Sequence, residues 1–271
     1  MTHSTVALLK LERGTDMPRL DPSVQCFLDR LHETTQTPTR RDALLEGAEP
    51  QVLAREQVLD FPGLEADDRI ILTHDDTQHR LMIFAYVPEG NLSGWRTHGH
   101  VALRLARQTH STLVFIAIRP QLNADVLEAR CLTLFEALRA RWPTAHLQAA
   151  LVADGPASVF IIRLSIGRLR YMFCLVALVL WTPELSEVAL MPAAQLSLLP
   201  TLLFVLAESD PFLPDALAFT HRLYDLEQDV TAVTVMGSIH SFGWLQPLID
   251  SPPTQTALTL TVQALREQFA P

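Results

Sequence analysis

Two side chains late in the chain have the types and placement for acid–base chemistry. Asp210 closes the apolar run TLLFVLAESD and is followed by Pro211, and His240 closes the next apolar run, DVTAVTVMGSIH. A carboxylate and an imidazole on neighbouring strand ends can meet, the imidazole moving a proton while the carboxylate holds the ring. Taken singly, each residue has a plainer account: Asp210 caps the helix DALAFTHRLYDL, and His240 is an ordinary turn residue. The order strand, Asp, helix, strand, His favours the paired reading. Nucleophilic catalysis would need a hydroxyl or thiol opposite the histidine. The strand–turn–helix stretch LVADGPASVF offers the position, but Gly155 stands at its apex with Pro156 next.

The elements that must position these groups are legible as short apolar runs. EQVLDFP, DRIILTHDD and HRLMIFAYVP follow one another closely, as in an antiparallel start to a sheet. Strands then alternate with helices: STLVFIAIRP before VLEARCLTLFEALRARW, LQAALVAD before ASVFIIRLSIGRL, then LVALVLWTP, TLLFVLAESD and DVTAVTVMGSIH, with TALTLTVQALREQF last. Continuous apolar runs are the mark of buried parallel strands. These eight runs predict an α/β class built on one mixed, mostly parallel eight-stranded sheet with helices on both faces. Functional groups in such a sheet gather at the carboxyl ends of the strands. The first fifty-odd residues differ in texture. In LDPSVQCFLDRL, Val24, Phe27, Leu28 and Leu31 fall on one helical face, with Asp21 placed to cap and Pro22 at the first position. A division into an N-terminal helical, cap-like segment (1–54) and a core (55–271) follows.

Composition bounds the function. A 271-residue chain that is 48% hydrophobic can bury a substantial core, and a formal charge of -9 gives no footprint for nucleic acid. The three cysteines, Cys26, Cys131 and Cys174, have no metal-ligand or disulfide spacing. Cys174, inside an apolar run, is expected in the core. No metal or cofactor is expected. The opening MTHSTVALLKLERGTD lacks the order of a secretory signal, so a reducing cytoplasm is the default. Residues 188–207 carry no charge and are long enough to span a bilayer, yet Pro192 and Pro200 would break the helix, so no transmembrane span is expected.

The stretch LSLLPTLLFVLAESDPFLPDALAFTHRLYDLEQDVTAVTVMGSIHSFGWL resembles the C-terminal part of α/β-hydrolases of the hormone-sensitive-lipase type, and LDPSVQCFLDRL resembles their N-terminal helical entry. The resemblance implies an α/β-hydrolase fold in which Asp210 and His240 match the triad acid and base. The family's nucleophile motif falls on Ala153-Asp154-Gly155-Pro156-Ala157, placing Gly155 at the serine position. Its oxyanion motif falls on Tyr86-Val87-Pro88-Glu89, without the family's histidine and glycines. The segment SEVALMPAAQLSL fills the gap where the family usually carries a long lid insertion, so a reduced cap is expected.

Each departure has a physical consequence. Gly155 offers no hydroxyl, although glycine adopts the strained elbow conformation freely. Pro156 lacks the backbone N–H that this fold uses as an oxyanion donor, and Pro88 removes a second one. Losing one such donor costs about 3–4 kcal/mol of transition-state stabilisation. Ser158 and Ser209, the nearest hydroxyls in sequence, are expected to be hydrogen-bonding or capping residues. The expectation is a catalytically inactive homologue that binds a small molecule or a protein partner, its pocket either open or covered by another chain in a homo- or heterodimer. The alternatives are a non-hydrolytic enzyme using Asp210 and His240 for elimination, cyclisation or isomerisation, and a carboxylesterase with a displaced nucleophile.

Overall fold

The computed structural model describes residues 19–34, 38–74, 80–88, 90, 92–119, 124–143 and 147–270. Its eight strands form one sheet: β1 (Gln57–Leu59), β2 (Arg69–Leu72), β3 (Arg80–Tyr86), β4 (Thr112–Ala117), β5 (Gln148–Asp154), β6 (Cys174–Trp181), β7 (Thr201–Ser209) and β8 (Val230–Ile239), in the order β1-β2-β4-β3-β5-β6-β7-β8. The β1–β2 and β2–β4 pairs are antiparallel and the other five are parallel. This is the α/β-hydrolase fold.

The antiparallel opening differs from the sequence expectation at one step. β3 does not pair with β2; β4 lies between them, and β3 runs parallel to both β4 and β5. The reason lies in burial: Leu81 through Tyr86 are all buried, so both faces of β3 must be covered and the strand belongs near the centre.

Helices cover the two faces. On one side lie α1 (Pro22–Thr34), α2 (Pro38–Leu45), α3 (Gly94–Thr109) and, at the end of the chain, Pro252–Gln268. On the other lie α4 (Ala124–Arg141), α5 (Ala157–Ile166), the short α6 (Leu169–Met172) and α7 (Ala193–Leu196), and α8 (Leu213–Asp225); the C-terminal helix is therefore α9. Alternation along β3 feeds both cores: Met82, Phe84 and Tyr86 enter the first, Leu81, Ile83 and Ala85 the second. Helix α1 starts as its sequence implies, with Asp21 Oδ1 accepting from the Ser23 N–H at 2.9 Å, and Val24, Phe27, Leu28 and Leu31 buried. The Asp21 N–H donates to the Gly237 carbonyl at 3.0 Å, which ties this entry to β8.

Cys174 corrects an expectation. It is exposed, because it is the first residue of β6, at the amino-terminal rim where the helices do not yet cover the strand. Residues 188–207 divide into a loop, α7 and β7, and among the described residues no helix is long and apolar enough to cross a membrane.

One buried ion pair ties the N-terminal region to α3. The Glu56 side chain is fully buried and accepts from Arg107 Nε at 2.6 Å and Nη2 at 2.7 Å, and from the Leu53 N–H at 2.8 Å. Burial pushes its pKa up, but Arg107, the Leu53 N–H and the charge of Arg55 together bring it below the ordinary 4.5. The lowered value means the ionised form stabilises the fold. That contribution is complete above pH 4.5 and lost as pH falls through the folded-state value. Glu56→Gln should therefore cost about 1.5–3 kcal/mol at neutral pH, the worth of a charged hydrogen bond. Urea unfolding should show the gap to the unaltered protein narrowing in acid.

Candidate functional site

The site is assembled from the carboxyl ends of β5, β6, β7 and β8. β5 ends at Asp154, Gly155 turns with φ +49°, and Pro156 (φ -68°, ψ -18°) leads directly into α5. Glycine takes that left-handed conformation without the Cβ clash other residues suffer. The turn is fixed on both sides. The Gly155 N–H donates to the Trp181 carbonyl at 3.1 Å, and its own carbonyl accepts from the N–H groups of Ser158 and Glu184, each at 3.2 Å. A Cβ placed on Gly155 would meet nothing closer than His240 Nε2 and Glu184 Oε1, both at 3.8 Å. A side chain at this position would thus have room and would face the histidine.

Asp210 and His240 are brought together. His240 Nδ1 lies 3.0 Å from Asp210 Oδ2, and the histidine is only 1% exposed. The capping account of Asp210 does not hold: Phe212 is the N-cap of α8, without a side-chain cap, and Asp210 Oδ1 accepts instead from the Phe212 N–H at 2.9 Å, in the turn before the helix. One carboxylate therefore holds the turn leading into α8 and orients the imidazole. Nε2 makes no hydrogen bond among the described residues. Burial pulls the His240 pKa down, and the hydrogen bond to Asp210 with the negative charges of Asp210, Asp154 and Glu184 raises it above 6.5 on balance. The protonated ring thus adds stability that is complete below pH 6.5 and is lost as pH rises through the folded-state value.

Val87 and Pro88, half-buried beyond the end of β3, lie across a pocket from Pro156. The pocket spans about 620 Å³ of space between atoms, part of it open to solvent, and its walls include Tyr86, His98, Asp154, Ser241 and Trp244. Neither proline carries an N–H to turn toward it. Glu89, the last position of the expected oxyanion stretch, lies outside the described residues. Gly94, at the start of α3, must be glycine, because an added Cβ would fall within 2.2 Å of two ring carbons and the hydroxyl oxygen of Tyr86.

Asp154 links three strand ends. Its Oδ1 accepts from Thr182 Oγ1 at 2.8 Å, its Oδ2 accepts from Ser241 Oγ at 3.3 Å, and His98 Nε2 is 3.7 Å away. Thr182 (φ +40°) and Ser241 (φ +59°) both sit in left-handed backbone that costs a non-glycine residue about 1–3 kcal/mol. Sequence reasoning missed Thr182, Glu184, Ser241 and His98. Only the rule that function gathers at strand ends points to Thr182 and Ser241; residue type gives no signal for Glu184 in WTPEL. Ser158 and Ser209 depart from expectation: both side chains are buried, and neither hydroxyl has a hydrogen-bond partner among the described residues. Among the described residues no group of three or more His, Cys, Asp and Glu is placed to hold a metal ion.

No family model matches the chain. It is 36% identical over 73 residues to an α/β hydrolase of Acanthamoeba polyphaga mimivirus, covering 27% of this chain and 21% of that one. It is 31% identical over 84 residues to an esterase of Gibberella moniliformis, covering 31% and 26%. The aligned stretches thus span about a fifth to a quarter of these curated relatives. Among solved structures, a thermostable esterase from Pseudomonas putida superposes with a TM-score of 0.72 at 15% identity, covering 95% of this chain and 100% of the other. A carboxyl esterase from Tuber melanosporum gives 0.70 at 16% identity, covering 92% and 99%. At such identities the likeness concerns the fold.

Proposed function

We propose that this chain is a hydrolase-fold protein of the hormone-sensitive-lipase type that acts by binding, not by covalent ester hydrolysis. The observation that carries this reading is Gly155: an apex with the backbone and space of a nucleophile position, where an added Cβ would stand 3.8 Å from His240 Nε2, but with no nucleophilic atom. Pro156 supports it by removing the adjacent backbone donor. The ligand is a small molecule in the pocket beside Pro156 or a protein that covers it, in a homo- or heterodimer. On this reading the helical segment up to residue 54 is what remains of a cap. Ester hydrolysis by the purified protein should not exceed that of an Asp210→Ala/His240→Ala variant; activity abolished by those two changes would rule the binding reading out.

A second reading is favoured by the intact His240–Asp210 contact at 3.0 Å. The pair would then serve a non-hydrolytic proton transfer in elimination, cyclisation or isomerisation. Conversion of a co-purifying metabolite that stops in His240→Ala would establish it. A displaced-nucleophile carboxylesterase is the third, resting on the buried hydroxyls of Ser158 and Ser209 and on the esterase neighbours. A fluorophosphonate probe attached to either serine would establish that one.

A further inference from the structure

We infer that Glu184 has taken the absent serine's place as the Nε2 partner of His240, so that the elbow carries a carboxylate–imidazole–carboxylate array, Asp210–His240–Glu184. The inference rests on the binding and proton-transfer readings above, goes beyond both, and holds whether the ligand is bound or converted. Three observations carry it. Glu184 is fixed to the elbow itself, its N–H donating to the Gly155 carbonyl at 3.2 Å. Its Oε1 lies 3.8 Å from His240 Nε2 and 3.8 Å from the point where a Gly155 Cβ would stand. Its side chain is only 14% exposed, so the carboxylate is held against the histidine instead of turning out to water.

The distance is that of an ion pair and is long for a hydrogen bond. An imidazolium is the form of the ring that such a carboxylate favours. The charged groups facing His240 are Asp210 from the end of β7, Asp154 from the end of β5 and Glu184 beyond β6, with the Phe212 ring 5.3 Å away. In a serine triad the histidine starts neutral and takes the hydroxyl proton. On this inference the ring carries a proton on both nitrogens, and its Nε2–H faces a carboxylate. Glu184 is a positioning residue in this arrangement. It sets the protonation of His240 and stands beside the point from which a serine side chain would reach Nε2.

The test is nitrogen-15 spectroscopy of the histidine rings across pH, in the full chain and in Glu184→Gln. In the unaltered protein His240 should carry protons on both nitrogens at pH 7. In Glu184→Gln, which keeps the shape and removes the charge, the His240 midpoint should fall while the other histidines stay in place. A folded Glu184→Gln protein with an unchanged midpoint overturns the inference. Glu184→Ala serves as the second variant with the same expected fall. Should neither variant fold, the unaltered protein decides: a bare Nε2 at pH 7 overturns the inference, and a protonated Nε2 in contact with the Glu184 side chain upholds it.

Discussion

Gly155→Ser alone should leave ester hydrolysis where it is, whereas Gly155→Ser/Pro156→Ala should exceed that single variant by about 10²–10³-fold, the typical worth of one oxyanion donor. The serine half of this expectation rests on the elbow. A Cβ at residue 155 would stand 3.8 Å from His240 Nε2 with no clash, which puts a seryl hydroxyl next to the imidazole. Holding serine at φ +49° costs about 1–3 kcal/mol, a strain that the three backbone hydrogen bonds around the turn help to maintain. The alanine half rests on the backbone. Pro156 sits at φ -68°, ψ -18°, which alanine adopts without strain, so the change adds an N–H and moves little else. The carboxylate of Glu184 opposes both gains, since it lies against Nε2 and would repel an oxyanion. Adding Glu184→Ala should therefore raise the rate again. Steady-state hydrolysis of a short-chain p-nitrophenyl ester measures all three proteins. Strong activity in Gly155→Ser alone would show that the missing N–H does not limit the site.

How much of this was readable beforehand depended on the range of the interactions involved. The strands were legible because continuous apolar runs such as LMIFAY and LVALVLW state their own burial, and burial on both faces implies a parallel sheet. The partner of β3 was not, because strand order is decided by which strands need covering on both faces, a global competition that neighbouring runs do not reveal. Asp210 and His240 were legible through their places at strand ends, and Gly155 and Pro156 through the turn they occupy. Glu184 was invisible for the opposite reason. Nothing in PEL distinguishes a solvated loop glutamate from one folded under an elbow, and its position depends on the Gly155 carbonyl, an acceptor supplied by another strand end. Cys174 failed on a smaller scale: its run is apolar, but the first residue of a strand lies at the rim of the layer that covers the rest.

Asp154→Ala should produce the largest loss of stability at the site, about 2–5 kcal/mol in urea unfolding. Two buried hydroxyls, Thr182 Oγ1 and Ser241 Oγ, would lose their acceptor, and a buried donor without a partner costs about 1–3 kcal/mol. The loss spreads because each hydroxyl belongs to a residue in left-handed backbone. Thr182 follows β6 and Ser241 follows His240, so freeing them loosens the two loops that carry Glu184 and the histidine. Asp154→Asn should cost clearly less. Its amide oxygen still accepts from Thr182 at the Oδ1 position, and only the charge and the second acceptor are lost. The charge loss has its own readout, a lower titration midpoint for His240, because Asp154 is one of the three carboxylates that favour the imidazolium. Thr182→Val in the Asp154→Ala background should cost less than in the unaltered protein, since the threonine hydroxyl is then already without its acceptor. Additive costs would mean that Asp154 and Thr182 act independently, and the strand-end loops would need another anchor.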